Sequence, residues 1–412
     1  MIKPKSKIEQ LILELCPNGV EFKELWELTA WDKKFSGLER DKQKKVIVYP
    51  YVLANRFKEI ATPTGDVRLL STGNYIGWTT EELADKNLCE GEIVAIPWGG
   101  QANIKYYKGK FVTADNRIAS SLDTNVLSNK FLYYWMLSNN QLIESFYRGS
   151  GIKHPSMKKV LEMRIPLPPL AIQEEVVKIL NSFTELEAEL EAELEARKKQ
   201  YEHYRSKLLT FSDMGGVQWK TLGEIAKYRR GSFPQPYGES KWYDGIGAMP
   251  FVQVADVGEN MRLVENTKQK ISQLAQLKSV FVPSGTVLVT LQGSIGRVAV
   301  TQYDSYVDRT LAIFESFKAE INVKYFAYQL ESKFSIEKEN ARGSTIKTIT
   351  KEEFTKFKIP IPPLDVQNRI ASTLDAFNLL LNDITIGLPA EISARKSQHN
   401  YYMTKILTFL EV

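Results

Sequence analysis

The chain of 412 residues repeats itself once, and this duplication limits the folds that it can adopt. The motif IPLPPLAIQ begins at Ile165, and the similar IPIPPLDVQ begins at Ile359, an offset of 194 residues (359 − 165). The same offset relates YRGSGIK, which begins at Tyr147, to ARGSTIK, which begins at Ala341. Self-similarity at one fixed offset indicates two copies of one structural unit. We therefore expect two related globular parts, each followed by the same kind of helical segment.

Between the two copies lies a segment, residues 171–211, that predicts one long helix. It contains no glycine and no proline, and it is rich in Leu, Glu, Ala and Lys, which are good helix formers. At about 1.5 Å per residue, roughly 40 residues give a rod about 60 Å long. Apolar side chains recur at steps of mostly three and four, which is typical of a surface that packs on another helix.

The second copy supplies a partner helix for this rod. ARKKQYEHYRSKLLTF begins at Ala196 and ARKSQHNYYMTKILTF begins at Ala394, so the offset has grown to 198 (394 − 196). The extra residues lie near Gly387, Leu388 and Pro389, a combination that should break or kink the second helix. We expect the two helices to pack antiparallel. The predicted packing residues are Leu180, Phe183, Leu186, Leu190, Leu194, Tyr201, Leu208, Leu374, Phe377, Leu381, Tyr401 and Ile406.

These features predict an α+β fold. Two duplicated mixed α/β domains would be joined by two long antiparallel coiled-coil helices with pseudo-two-fold symmetry. The predicted boundaries are 1–164 for the first domain with a short helix at 6–15, 165–213 for the central helical segment, 214–358 for the second domain and 359–412 for the C-terminal helical region. Within the domains we expect strands at 46–51, 92–96, 287–291 and 297–302, and helices at 130–147 and 323–340.

Composition excludes several protein classes. No apolar run is long enough to span a bilayer, the N-terminus lacks a signal-peptide core, and Cys16 and Cys89 are the only cysteines, so a cytoplasmic protein without disulfides is expected. With three histidines there is no metal cluster to propose.

The net charge is +5, and six glutamates within 185–195 make part of the long helix acidic. The basic excess therefore lies on the globular parts, which fits either a nucleic-acid binder or an ordinary solvated surface.

Three loop clusters in each copy combine basic, amide and aromatic residues with glycine turns. Arginine, asparagine and glutamine are favoured readers of base edges, and glycine–serine turns let the backbone approach phosphates. The candidate DNA-binding residues of the first copy are Lys33, Lys34, Arg40, Lys42, Trp98, Gln101, Asn103, Lys105, Arg148, Ser150 and Lys153. Those of the second copy are Arg229, Arg230, Ser232, Lys241, Gln292, Ser294, Arg297, Arg342, Ser344 and Lys347.

The two copies differ at these loops, which indicates two sites that read different sequences. The alternative is drift of surface loops. A single side chain is more readily explained as a solvated charge or a turn former than as a base reader, and the clusters are stronger candidates than their members. Trp98, Trp242 and Tyr243 are more readily explained as packing residues than as stacking platforms.

No catalytic, metal-binding or cofactor-binding residues are predicted. The chain has no GxxxxGK[ST] phosphate-binding loop, no GxGxxG after a predicted strand and no NPPY- or DPPF-like tetrapeptide of an amino-methyltransferase. The proline pairs occur in PLPPL and PIPPL, where they predict entry into a helix. The chain is therefore interpreted as a binder rather than a catalyst.

Two sets of motifs resemble one known family. They are IPLPPLAIQEEVVKIL with ARKKQYEHYRSKLL, and IPIPPLDVQNRIASTLDAF with LPAEISARKSQHNYY, and they are accompanied by LGEIAKYRRG, QGSIGR and ARGSTIK. Together they resemble the specificity subunit of type I restriction–modification systems over essentially the whole chain. The first copy departs more, because ELWELTAWDKKFSG lacks the family's common glycine turn.

The resemblance implies a non-catalytic subunit. Each globular part would be a target recognition domain that reads one half of a split, asymmetric site in double-stranded DNA, and the helices would fix the distance between the halves. Two modification subunits would dock on the helical parts and methylate adenine with S-adenosylmethionine. Restriction subunits would join and cleave DNA with ATP and Mg. No cofactor would bind this chain, and no membrane partner is expected.

The residues alone leave two other interpretations open. One is a coiled-coil protein-interaction scaffold whose globular ends bind proteins and lack DNA specificity. The other is a fused methyltransferase or nuclease, which requires catalytic motifs that the sequence does not display.

Overall fold

The structure is a computed structural model that describes residues 6–43, 45–211, 217–258, 260–340, 350–383 and 385–412. It divides into two compact units. Unit 1 comprises Met1–Glu189 together with Ile392–Val412, and unit 2 comprises Leu190–Glu391. This division differs from the four predicted segments because each stretch of long helix is grouped with the domain on which it packs.

Unit 1 is a mixed α/β domain. Its helices are α1 (Lys7–Leu15), α2 (Leu25–Leu28), α3 (Ala54–Glu59), α4 (Glu81–Ala84), α5 (Asn129–Ser138), α6 (Asn140–Glu144) and α7 (Met157–Leu161), with 3-10 turns at Arg40–Lys42 and Asp85–Asn87. Its strands are β1 (Phe22–Glu24), β2 (Thr29–Trp31), β3 (Val67–Leu70), β4 (Ile76–Thr79), β5 (Cys89–Pro97), β6 (Lys105–Thr113), β7 (Asn116–Ser121), β8 (Tyr147–Arg148), β9 (His154–Pro155) and β10 (Arg164–Pro166).

Six of these strands form the main sheet of unit 1, in the order β2–β7–β5–β6–β3–β4. Neighbouring strands run antiparallel except for β3 and β6, which are parallel. Successive side chains of a strand point to opposite faces. Val94 and Ile96 of β5 accordingly join the core that contains Phe131 of α5, while Ile93 and Ala95 join a separate cluster. The central strand is therefore buried on both faces.

The central helix α8 (Leu170–Leu209) begins in unit 1, and its start explains the IPLPPLAIQ motif. Gln173 is fully buried, and its Nε2 donates to the carbonyls of Pro168 at 2.8 Å and Val126 at 2.9 Å. Its Oε1 accepts the N–H of Ser128 at 2.9 Å. Because a buried amide must have its hydrogen-bonding groups paired, this glutamine fixes the helix start against the loop before α5.

Unit 2 contains the same kinds of element. Its helices are α9 (Leu222–Ile225), α10 (Gln273–Gln276), α11 (Val323–Asn340), α12 (Lys351–Thr355) and α13 (Leu364–Asn382), with 3-10 turns at Ser240–Trp242 and Val254–Asp256. Its strands are β11 (Gln218–Thr221), β12 (Ala226–Arg230), β13 (Met249–Val252), β14 (Gln269–Ile271), β15 (Val280–Val282), β16 (Val287–Thr290), β17 (Val298–Val300), β18 (Ser305–Val307), β19 (Leu311–Phe317) and β20 (Lys358–Ile361). The last helix, α14 (Leu388–Ile406), lies largely in unit 1.

Two four-stranded sheets build unit 2, in the orders β12–β19–β16–β17 and β14–β13–β18–β15. β13 and β18 are parallel, as β3 and β6 are in unit 1. The β16–β17 turn needs Gly296, which has φ +76°, because any side chain there would collide with Phe334 of α11. At the start of α13, Gln367 repeats the role of the earlier glutamine. Its Nε2 donates to Pro362 O at 2.9 Å, and its Oε1 accepts the N–H of Asn322 at 2.9 Å.

In unit 1 the first part of α8 packs on α14. Phe183 stacks on His399 and on Tyr402, with ring centroids 5.5 Å apart in both pairs. His399 Nδ1 lies 2.8 Å from Oε1 of Glu187. Phe183 contacts Tyr402, whereas Glu187, about one turn later in α8, contacts His399, about one turn earlier in α14. The predicted antiparallel packing is therefore confirmed within this unit.

In unit 2 the later part of α8 packs on α13. Tyr201 and Tyr204 lie against Phe377, with ring centroids 6.0 Å apart in both pairs. Leu209 of α8 and Leu374 of α13 belong to the same core. The prediction of two duplicated mixed α/β domains with long helices is confirmed.

The predicted packing residues differ in burial. Leu180, Leu190, Leu374 and Leu381 are buried, and Phe183, Leu186, Leu194, Tyr201, Leu208, Phe377 and Ile406 are half-buried. Tyr401, in contrast, is 61 % exposed. At about 100° per residue Tyr401 lies about 200° around α14 from His399, so it points away from the side that carries His399 and Met403.

The second long helix is interrupted between α13 and α14, as predicted. Oδ1 of Asp383 accepts the N–H groups of Thr385 at 2.7 Å and Ile386 at 3.1 Å. At Gly387 an added Cβ would lie 2.6 Å from Leu379 O and 2.7 Å from Asp383 O. The break therefore needs a glycine at this position.

Most predicted elements are confirmed. β5, β16 and β17 account for three of the predicted strands, and α1 and α11 account for two helices. The strand predicted at 46–51 is wrong, because Val46 and Tyr51 form single bridges to two different strands, at Trp31 and Thr113. The helix predicted at 130–147 is two helices, α5 and α6, which are separated at Asn139.

The end of the chain returns to the start of unit 1. The N–H of Val20 donates to Leu410 O at 2.8 Å, and the N–H of Val412 donates to Val20 O at 3.2 Å. Arg164 forms an ion pair with Glu411. Unit 1 is thus assembled from two separate stretches of sequence.

Candidate nucleic-acid interface

The predicted clusters of unit 1 leave the main sheet at one end. β2 and β5 finish there at Trp31 and Pro97, and β6 and β7 start there at Lys105 and Asn116. Pro97 pairs with Asn116, and Ala95 pairs with Lys105. In an antiparallel pair the end of one strand meets the start of its neighbour. We call this end of the sheet the loop edge of unit 1.

Two loops at this edge, residues 98–104 and 148–154, bind each other. His154 Nδ1 lies 2.7 Å from Trp98 O, and the N–H of Gly100 donates to Lys153 O at 2.9 Å. A carbonyl oxygen can only accept, so Nδ1 of His154 carries the proton. The rings of Trp98 and His154 lie 5.1 Å apart. The second and third predicted clusters of unit 1 therefore form one surface.

A buried arginine connects this surface to the first cluster. Arg117 is 1 % exposed, and its guanidinium lies 4.6 Å from the ring centre of Trp98. Its Nη1 donates to Asp32 Oδ2 at 2.8 Å, and its Nη2 donates to Asp115. Burial raises the pKa of Asp32 above its usual value, although the charge of Arg117 opposes that shift. Asp32 directly follows β2, so the first cluster begins beside this arginine.

The side chains of the first cluster have different surroundings. Lys33 and Lys34 are exposed. Lys42 is half-buried, and its Nζ lies 3.5 Å from Oε1 of Glu162. Arg40 begins a 3-10 turn, and its side chain lies outside the described part of the chain. Lys33 and Lys34 thus remain available to a ligand, whereas Lys42 is held by a carboxylate of its own unit.

Two predicted DNA-binding residues are turned towards the loop that follows β3. Lys105 Nζ donates to Gly73 O at 2.6 Å and to Ser71 O. Asn103 Nδ2 donates to Gly73 O at 3.1 Å and to Asn74 Oδ1 at 3.1 Å. Burial lowers the pKa of Lys105 to about 8. These residues hold another loop in place.

Unit 2 has an equivalent loop edge. Arg230, at the end of β12, pairs with Ala312 of β19, and Thr290, at the end of β16, pairs with Leu311 of β19. The order β12–β19–β16 therefore repeats the order β2–β7–β5, with the strands running in the same directions. We call this end of the sheet the loop edge of unit 2.

The first cluster of unit 2 presents exposed cations at this edge. Arg229 and Arg230 are exposed, and Arg229 Nε lies 3.9 Å from Oε1 of Glu315. Ser232 Oγ donates to Lys278 O at 3.0 Å, so this hydroxyl holds a neighbouring loop.

Lys241 belongs to an aromatic cluster next to these cations. It forms an ion pair with Glu239, and its Nζ lies 4.5 Å from the ring centre of Trp242. Trp242 is buried, and the ring of Tyr243 lies 5.5 Å from that of Phe233. Trp242 and Tyr243 therefore pack within the unit.

The β16–β17 turn carries the second cluster of unit 2. Gln292 is half-buried and Ser294 is exposed. Arg297 lines a cavity of about 590 Å³ together with Arg205 of α8, and its Nη1 donates to Val257 O at 3.3 Å. Arg297 is therefore engaged within its own unit.

The third cluster can be compared in unit 1. Arg148, Ser150 and Lys153 are exposed there, as is Gln101 of the second cluster. The second-copy residues Arg342, Ser344 and Lys347 lie outside the described residues.

Arg117, His154 and the loop after β3 also belong to this surface, and the sequence did not predict them. An arginine inside a strand with the pattern NRIA is a signal of an internal ion pair, but its partners are 2 and 85 residues away. His154 directly follows the third cluster. Ser-Thr-Gly-Asn at 71–74 is an ordinary turn signal, and nothing local shows that two predicted base readers bind it.

Within the described ranges, no group of three or more His, Cys, Asp or Glu side chains is arranged to hold a metal ion. No helix in those ranges is both long and apolar enough to cross a membrane. Cys16 and Cys89 are buried free thiols, and burial raises the pKa of Cys89 to about 11.

Comparison with protein families gives two matches to one domain. The family described as "Type I restriction modification DNA specificity domain" matches residues 17–196 and 214–394. The matches begin 197 residues apart (214 − 17), close to the offset of the duplicated motifs.

Two relatives agree with this match. The chain is 34% identical over 308 residues to the type I restriction enzyme EcoR124I/EcoR124II specificity subunit of Escherichia coli. The matched residues cover 71% of this chain and 74% of that protein. It is 31% identical over 343 residues to a putative type I restriction enzyme specificity subunit of Haemophilus influenzae. This match covers 78% of this chain and 83% of that protein.

Solved structures share the fold. The S subunit of a type I restriction–modification system from M. genitalium matches with a TM-score of 0.56 and 17% identity, and the match covers 96% of this chain and 98% of that one. A chain from a study of complex assembly and conformational transition in the type I system matches with a TM-score of 0.56 and 18% identity over 95% of this chain and 98% of that one.

Proposed function

This chain belongs to the family of type I restriction–modification specificity subunits, and we propose that it reads a bipartite, asymmetric site in double-stranded DNA. Unit 1 reads one half-site and unit 2 reads the other, each through its loop edge. The family establishes recognition of a DNA sequence as the general task, and the division between half-sites is our inference.

One observation carries this proposal. The duplicated fold presents the same strand ends twice, with different side chains on them. Unit 1 offers the exposed lysines Lys33 and Lys34, whereas unit 2 offers the exposed arginines Arg229 and Arg230. Base edges are distinguished by the pattern of donors and acceptors that a protein presents, so two different sets on one frame suit two different sequences.

The long helices would set the spacing between the half-sites. α8 has 40 residues, which corresponds to about 60 Å of helix. Two sites on one side of B-DNA lie about 34 Å apart for each helical turn. A rigid helix of this length is therefore sufficient to fix a spacer of about one turn, and the helical surfaces would also dock two modification subunits.

Catalysis would reside in the partners. We propose that the modification subunits methylate adenine with S-adenosylmethionine, and that restriction subunits cleave DNA with ATP and Mg. In this scheme the present chain supplies specificity and no reacting group. Support comes from the family, whose members are named specificity subunits.

The test is base-resolution mapping of methyladenine in cells with the gene intact and deleted. We expect a split motif with an unspecified spacer to be methylated in intact cells and unmethylated after deletion. Restoring the gene on a plasmid should restore the same motif.

A methylation pattern that does not change on deletion, in cells where the modification subunit is expressed and co-purifies with this chain, would contradict the proposal. Absence of co-purification would instead favour the protein-interaction scaffold as the function of this chain.

A further inference from the structure

We propose that residues 71–75, the β3 loop, are a further DNA-contacting loop of unit 1, with Asn74 as its contact residue and Asn103 and Lys105 as positioning residues. The inference rests on the proposed function, since it names part of the surface through which unit 1 would read its half-site. It also changes the role of two residues whose types alone suggested direct base contacts.

The fold places the β3 loop at the loop edge. Nδ2 of Asn116, the residue with which β7 starts at this edge, donates to Leu70 O at the end of β3 at 2.9 Å. The N–H of Ala114, directly after β6, donates to the same carbonyl at 2.9 Å, next to the parallel pair of β3 and β6. In unit 2, β13 runs parallel to β18, and the N–H of Asp308, directly after β18, donates to Val252 O at 3.0 Å. In both units a loop therefore begins at the same point of the duplicated fold.

The amide network fixes which atoms of the loop face outward. Asn103 Nδ2 donates to the carbonyl of Gly73, which can only accept, so the orientation of the Asn103 amide is determined. The second N–H of Asn103 Nδ2 points to the side-chain amide of Asn74, and the atom of that amide that can accept it is Oδ1. Asn74 is exposed, and among the described residues its Nδ2 has no hydrogen-bond partner.

This arrangement makes Asn74 a donor. An asparagine that reads adenine uses both its oxygen and its nitrogen, but here the oxygen already accepts from Asn103. Two free N–H groups match acceptors, which in the major groove of DNA are guanine O6 and N7, adenine N7 and thymine O4, together with the phosphate oxygens of the backbone. The half-site contact expected from Asn74 is therefore to one of these oxygen or nitrogen acceptors.

The position of the loop depends on polar bonds rather than on packing. A cavity of about 410 Å³ lies beside it, lined by Tyr75, Asn103, Lys105, Tyr106 and Tyr107 among others. Apolar contacts are therefore incomplete on that side of the loop. The charged Nζ of Lys105, which donates to two of its carbonyls, provides the strong hydrogen bonds that fix it.

The experiment uses the assembled complex with modification subunits and duplexes that carry the mapped motif or single-base changes in it. Three variants are compared with wild type: Asn74→Ala, Lys105→Met and the double variant. The matched control is Lys108→Met, which removes a lysine from the same strand whose side chain is 71 % exposed and paired with Glu92. Affinity for each duplex is measured by competition.

For Asn74→Ala we expect discrimination to fall roughly tenfold to a hundredfold at one or two adjacent positions of one half-site, with the other half-site unchanged, if the acceptor is a base. A uniform loss of affinity with unchanged preference identifies a phosphate acceptor. Lys105→Met should affect the same positions, and the double variant should be no worse than Asn74→Ala. Lys108→Met should behave as wild type.

Unchanged affinity and preference for Asn74→Ala would overturn the inference. So would a Lys105→Met effect that adds fully to that of Asn74→Ala, because a positioning residue acts through the residue that it positions. A wild-type complex that shows no preference for any bipartite motif would instead remove the proposed function itself, so the two failures are distinguishable.

Discussion

A single buried arginine joins the three loop clusters that the sequence of unit 1 suggested. Arg117 pairs with Asp32 at the first cluster and lies over the ring of Trp98 in the second, and Trp98 contacts His154 at the third. Residues that are separated by more than 100 positions in sequence therefore depend on one guanidinium. Arginine suits this place because its planar group can pair with carboxylates and stack on an aromatic ring at once.

Replacement of this arginine should destabilise unit 1. In Arg117→Met the carboxylate of Asp32 stays buried without its counter-charge, and the loss of one partner from a buried pair costs about 3–5 kcal/mol. The free energy of unfolding, followed by denaturant titration of the purified chain, measures this change.

The double variant Asp32→Asn/Arg117→Met is the control for this prediction. It should recover part of the stability, because a neutral amide replaces the uncompensated charge. Equal stability of Arg117→Met and wild type would show that the pair contributes little, and absence of recovery would assign the loss to the contacts with Asp115 and Trp98.

The identity of candidate residues was easier to predict than their orientation. Lys33 and Arg230 are exposed at the loop edges, as their sequence positions suggested. Asn103 and Lys105 are directed at Ser71 and Gly73, about 30 residues earlier in the chain. Hydrogen bonds between distant loops depend on how the strands are ordered, and residue type alone does not reveal that order.

Secondary-structure elements were predicted well where the signal is local. The absence of glycine and proline predicted α8, and Gly387 beside Pro389 predicted the break after α13. The segment 46–51 is a run of β-branched and aromatic residues like that of a strand, but its ends bridge β2 and β6 separately, so it has no single partner. A strand needs a neighbour that runs beside it, and that requirement is not visible in the segment itself.

Helix length gives a prediction at the scale of the element. The sequence ELEA occurs three times in succession at 185–196, within α8. Deletion of one repeat shortens the helix by about 6 Å, close to two base-pair rises of about 3.4 Å each. We expect the methylated motif to keep both half-sites and to have a shorter spacer, as measured by methyladenine mapping.

Insertion of a fourth ELEA repeat should lengthen the spacer by a similar amount. A spacer that is the same in the deletion, the wild type and the insertion would show that α8 does not determine it. Altered half-site sequences would point to damage in the units rather than to a change in spacing.

The whole molecule carries a net charge of +5, and because part of α8 is acidic, the basic excess lies in the remaining parts of the two units. Charge of this size does not identify a DNA-binding protein, because ordinary surfaces reach it. The location of the basic side chains is more informative, since exposed lysines and arginines occur at both loop edges. Release of counterions from DNA should therefore contribute to binding by both units.

Salt dependence tests this at the scale of the whole molecule. If about six phosphates are neutralised, the affinity of the assembled complex for its mapped duplex should fall about a thousandfold between 50 and 200 mM salt. The measurement is a binding titration at several salt concentrations. A response that is flat across this range would favour the protein-interaction scaffold over DNA recognition.

Because residues 392–412 complete unit 1, the two units become foldable at different times during translation. Unit 2 is one continuous stretch, Leu190–Glu391, and all of it leaves the ribosome before α14 can reach unit 1. At about 5–20 residues per second this interval lasts roughly ten to forty seconds. Throughout it, Val176 and Leu180 lack the apolar side chains of Met403 and Leu407 that join their core. The part of the chain that is made first is therefore the last to be finished, and it has an uncovered apolar surface for chaperones to bind in the meantime.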